Sequence, residues 1–133
     1  MRALSLLAWS VPLLLLGQFL TVGLATFHDA ALWGAHIALG STIGLPVLIL
    51  AILPWLMPQA RPVRWWTLAL LTIFLIQIGL AGAAESGLTL LAALHPVNAI
   101  VLMGTAVIVA MKLYRRERKA RNIDLNTVLK ISS

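Results

Sequence analysis

Four apolar runs dominate this chain, and each reaches the ~20 residues that a helix needs to cross ~30 Å of hydrocarbon. They cover about residues 3–26, 31–57, 65–84 and 88–113. His28 and Asp29 end the first run, and Pro58, Gln59, Arg61, Pro62 and Arg64 separate the second from the third. Glu85, Ser86 and Gly87 end the third, and the fourth runs into Tyr114-Arg115-Arg116-Glu117-Arg118-Lys119. A soluble domain of 133 residues, 61% of them hydrophobic, could not hide that much apolar surface, because small domains leave a large share of their surface wet. Outer-membrane strands would show as alternating segments of ~10 residues, and no such alternation is present. The expected fold is an all-α membrane protein, a four-transmembrane-helix up-and-down bundle. Residues 1–121 would form the membrane domain and 122–133 a polar, aperiodic cytoplasmic tail.

The net charge of +6 suggests nucleic acid until it is located. Seven of the ten basic residues lie at Lys112 or later, next to an apolar run, which is a membrane-flanking pattern and excludes a nucleic-acid face. Arg2, Arg61, Arg64 and the tail cluster fall on one side of the up-down arrangement, and the other two turns carry no Lys or Arg. The positive-inside rule makes that basic side cytoplasmic, so both termini face the cytoplasm of a bacterial inner membrane. Trp9, Trp55, Trp65 and Trp66 lie near the same side, as interfacial anchors do. Arg2 and the leucines after it also suit a cleaved signal peptide. The run is long for an h-region, and it takes part in an internal repeat, so it is read as a retained helix. With no cysteine, disulfides, thiolate metal sites, Fe–S clusters and covalently attached haem are excluded.

Sliding the sequence by 59 residues brings rare intramembrane polar residues into coincidence: Gln18 falls on Gln77, and His36 on His95. Gly23 also falls on Gly82, and Gly40 on Ala99. The bundle is thus expected to be built from two repeated helical hairpins. In each, a Gln late in one helix precedes by 18 positions a His early in the next. At 1.5 Å rise per residue, all four side chains share a layer roughly 8–10 Å below the non-basic interface. Polar and ionisable groups at such depth are costly and usually face the bundle interior, which makes them candidates for function.

In an up-down bundle the second and fourth helices are diagonal partners, with axes roughly 12–14 Å apart. Imidazoles meeting across that diagonal leave room for one metal at ~2 Å from each nitrogen. A bare zinc ion would want further ligands, and glutamine is a poor one, so a haem iron ligated by His36 and His95 is the better fit. Gln18 and Gln77 would orient the imidazoles through their second nitrogens, hold ligand oxygens, or serve as structural hydrogen-bonding groups between helices, with Asn98 as a further candidate for that shell. Gly40, with Gly44, clears a face of the second helix, while Gly79, Ala81, Gly82 and Ala83 slim the third. Pro96 is expected to free the carbonyl of Ala92 and bend the fourth helix at the His. The non-basic side offers no Lys or Arg to haem propionates, only His28, Thr26, Ser86, Thr89 and the glutamines, so they would emerge into water.

The pattern Gln18…His36…Gln77…Leu94-His95-Pro96-Val97-Asn98-Ala99 resembles a family of small uncharacterised bacterial four-span membrane proteins, over nearly the whole membrane portion. At fold level the chain is also similar to one half of heme A synthase, whose four-helix halves present paired histidines on their second and fourth helices. That likeness implies His36 and His95 as axial ligands of a b-type haem. Heme A synthase carries a Glu four residues before a ligand His and an Arg directly after one. Here those positions hold Leu32 and Ile37, and at the second site Leu91 and Pro96. The likeness therefore implies haem holding and not haem oxygenation.

The expected function is electron transfer by haem b, as a local relay near the outer face or a haem subunit of a larger redox complex. Quinone or a membrane redox partner is the candidate partner, with lipid as surroundings. The sequence leaves the oligomeric state open. No nucleophile–base pair, phosphate loop or carboxylate dyad supports an enzyme acting alone. The rival expectation is a cofactor-free accessory subunit or small transporter with a buried His/Gln hydrogen-bond network.

Overall fold

The computed structural model describes the backbone of residues 1–131 and the side-chain surroundings of residues 1–122 apart from Ala84. Helix α1 spans Arg2–Phe27, α2 Trp33–Leu56, α3 Arg64–Glu85, α4 Thr89–Ala92 and α5 His95–Ile131. Short 3-10 turns at Ala30–Leu32 and Arg61–Val63 lead into α2 and α3, and no strand occurs among the described residues. Four helices are long and apolar enough to span a membrane. The chain is an all-α membrane protein. Helix α1 packs on α2 and α5, and α3 packs on the same two, so α2 and α5 face each other across a diagonal.

Burial follows the 3.6-residue period. Leu4, Ala8, Val11 and Leu15 on α1 meet Ile43, Val47 and Leu50 on α2, with Leu70 and Phe74 from α3 and Leu102, Ala106, Val109 and Leu113 from α5. All of these lie between mid-bundle and the basic end. In the other half only Ala25 and Ala83 are buried apolar residues among those described. One half of the bundle is close-packed. The other half encloses a cavity of about 640 Å³ reached by all four long helices.

Two expectations need correction. The fourth apolar run is not one helix: α4 is a single turn, Ala93 and Leu94 form a bend, and α5 begins at His95. Pro96 therefore does not bend one continuous helix, because the chain breaks at Ala93 and Leu94 before it. It occupies the first turn of α5, where a backbone N–H would have no helical acceptor and the fixed φ of proline is suited to helix entry. The first bond of that helix runs from the Asn98 N–H to the Leu94 carbonyl, 2.9 Å. The fourth helix was also expected to end near residue 113, with a polar, aperiodic tail from about residue 122, yet α5 continues to Ile131. Charged residues of good helix propensity (Arg, Lys, Glu) fill its first turns beyond Leu113 and let it continue.

At the basic end, tryptophan rings and cations pair off. Arg64 sits over Trp55 at 5.0 Å and Trp65 at 5.5 Å, these two rings meet edge-on at 5.3 Å, and Lys112 lies 4.9 Å from Trp66. Such an arrangement keeps a charged head at the interface while the rings sit at headgroup level.

Candidate functional site

Gln18, His36, Gln77 and His95 all line the one cavity. Its floor is apolar, formed by Leu15, Ile43, Phe74 and Leu102, and Glu85 lies at its mouth. All four polar side chains are half-buried. His36 comes from the first turn of α2, and His95 is the first residue of α5.

The two imidazoles meet across the diagonal. Their ring centroids are 6.5 Å apart and their planes 67° to each other. Trp33 packs edge-on against His36 at 5.7 Å, a neighbour that the polar-residue pattern did not single out.

Each ring is held from within its own hairpin. The Thr21 hydroxyl donates to the Gln18 carbonyl at 2.9 Å, so at 3.2 Å from His36 Nδ1 its oxygen must accept from Nδ1–H. This leaves the lone pair of His36 on Nε2. Gln18 does not orient the ring as expected. Its amide donates to the backbone carbonyl of His36 at 2.9 Å, passing Gly40, where a Cβ would lie at van der Waals distance, 3.4 Å. Gly40 lines the cavity. Thr21 is the ring's partner, and its only sequence signal was its place one turn beyond Gln18 on the same face.

His95 is bound more fully. Its Nδ1–H donates to the Gln77 backbone carbonyl at 3.1 Å, and its Nε2 accepts from the Gln77 amide at 3.1 Å. The Gln77 Oε1 accepts from Asn98 at 2.7 Å, and the same Asn98 amide donates to the Ile73 carbonyl at 3.1 Å. This directional chain assigns the Nδ1–H tautomer to His95 and fixes the Gln77 amide orientation. Gln77 thus bonds the imidazole directly, whereas Asn98 bonds Gln77 and not the ring.

Whether these residues suit a haem can be tested on geometry. Two imidazoles sharing one metal at ~2 Å from each nitrogen have ring centroids roughly 6 Å apart, close to the separation found. Both rings are anchored through Nδ1–H, the arrangement that leaves Nε2 for a metal. Among the described residues no three His, Cys, Asp or Glu side chains gather, so a bare ion would find two donors only. A macrocycle that brings four nitrogens of its own removes that shortage. The Gln77 amide would have to leave His95 Nε2 for the metal to reach it.

No curated protein and no solved structure matches the chain, heme A synthase included. A model described as a family of unknown function (DUF6220) matches residues 18–85, a stretch that contains Gln18, Thr21, His36, Gly40 and Gln77 and stops before His95. The chain belongs to this family.

Proposed function

We propose that this protein is a b-type haem-binding membrane protein whose iron is held between His36 and His95. It would serve as an electron-transfer relay near the outer face of a bacterial inner membrane, or as the haem subunit of a larger redox complex. Both termini would lie in the cytoplasm by the positive-inside rule. The observation that carries this reading is the pair of imidazoles 6.5 Å apart, each anchored by Nδ1–H, at the hollow end of a bundle whose other half is close-packed.

Haem supplies one-electron chemistry at its iron. The chain's residues supply the rest. Thr21 and the Gln77 carbonyl fix ring orientation and raise the basicity of each Nε2 through the bond at Nδ1. Leu15, Ile43, Phe74 and Leu102 keep water from the floor of the site. A haem held by both His36 and His95 would supply electron transfer rather than oxygen activation. A single haem at this level does not reach across ~30 Å of hydrocarbon, so donor and acceptor, a quinone or a membrane redox protein, meet it locally.

A second reading has one observation in its favour: the Gln77 amide already engages His95 Nε2. In it the bundle binds no cofactor, and the His/Gln network joins its hairpins as an accessory subunit or small transporter. The visible spectrum of protein purified from haem-replete cells separates the two. The haem reading expects a Soret band and sharp reduced α and β bands, lost in both His36→Ala and His95→Ala. Colourless, folded wild-type protein would favour the second.

A further inference from the structure

A second recess lies at the opposite, basic end of the bundle, remote from the histidines. It has a volume of about 270 Å³ and is lined by Gln59 from the α2–α3 connection, by Arg116, Lys119 and Ala120 of α5, and by Met1. Arg116 and Lys119 are three residues apart and share a helix face. They share the recess with Gln59 from a different part of the chain, and the lining contains no carboxylate. Two other cations at this end are engaged elsewhere, Arg64 and Lys112, which rest on tryptophan rings. The recess therefore gathers a guanidinium fork, an ammonium and an amide donor, the set that matches a phosphate group. It also lies at the end where Trp55, Trp65 and Trp66 mark the headgroup level.

We infer that this recess is a binding site for the phosphate of an anionic phospholipid headgroup. Arg116 takes the phosphate oxygens in pairs, Lys119 adds charge, and Gln59 donates a neutral hydrogen bond. The site owes nothing to the histidine cavity, and its occupancy does not depend on haem. Generic attraction between a basic tail and an anionic membrane would follow total charge alone. A built recess depends on which residues carry the charge.

Native mass spectrometry of the full chain in detergent, titrated with phosphatidylglycerol, phosphatidylcholine or inorganic phosphate, tests this. We expect saturable retention of phosphatidylglycerol at low stoichiometry. Arg116→Gln/Lys119→Gln should weaken it about thirty-fold, taking ~1 kcal/mol per basic residue near a lipid surface. Arg115→Gln/Arg118→Gln removes the same charge from positions outside the recess and should leave binding largely intact. Gln59→Leu changes no charge and should weaken binding several-fold, and a retained helical circular-dichroism spectrum shows that each variant has folded. Equal loss in the two double variants, equal retention of phosphatidylcholine, or occupation by inorganic phosphate with no lipid retained would each overturn the assignment.

Discussion

Thr21 marks how far a residue-level reading of the sequence reaches. Gln18, His36, Gln77 and His95 were legible because each is a rare polar side chain in an apolar run, repeated at a fixed offset, and Asn98 because it lies one turn beyond His95. Thr21 was not, since a threonine in a membrane helix usually bonds its own backbone, and this one does so as well, to the Gln18 carbonyl. What makes it part of the site is a tertiary contact, Nδ1 of His36 at 3.2 Å. Thr21→Val should keep the fold and lower haem affinity about 10- to 100-fold, the range for losing an outer partner of a metal-binding imidazole. Haem titration of the apo-protein measures it, and unchanged affinity would remove Thr21 from the site. The roles of the two glutamines were equally hidden. They occupy equivalent places in the repeat, yet Gln18 bonds a backbone carbonyl and Gln77 a ring nitrogen.

At the scale of elements, hydropathy located the first three spans and the start of the fourth to within a few residues, because the membrane demands long apolar helices and little else. It missed the break between α4 and α5, because Pro96 in an apolar run is compatible with both a kink and a fresh helix start. The break decides where His95 points. Pro96→Ala supplies the missing N–H and should let α4 and α5 join, turning His95 away from the cavity and weakening haem retention. Amide hydrogen exchange at His95 and Val97, whose N–H groups would gain acceptors in a joined helix, would then slow, and unchanged exchange would argue against this account of the bend. Close packing between α1 and α2 sets the other ligand. A Cβ at Gly17 would lie 3.0 Å from the Leu39 Cδ2, so Gly17→Leu should force the helices apart and cost about 1–3 kcal/mol of stability. Unfolding in a denaturing detergent reads that cost, and a variant as stable as wild type would mean that the interface has slack.

On the scale of the whole molecule, two ends with different designs divide the labour. The basic end has a continuous apolar core and tryptophan–cation pairs, and the far end carries the polar residues around a hollow. The sequence made the charge asymmetry plain, but it gave no sign that burial would be confined to one half, since apolar residues fill all four runs from end to end. If the basic end is cytoplasmic, a cysteine placed at Ser86 should react with a membrane-impermeant maleimide in intact cells, and one at Gln59 only after lysis. The chain has no native cysteine to interfere. The reverse labelling pattern would invert the orientation and put the hollow end in the cytoplasm.

Sharing of one iron by His36 and His95 is tested most directly by low-temperature electron paramagnetic resonance of the oxidised, purified protein. The account predicts a low-spin ferric haem signal in wild type that becomes high-spin, or disappears with the haem, in His36→Ala and in His95→Ala alike. A high-spin signal in wild type, or a low-spin signal that survives either substitution, would contradict it.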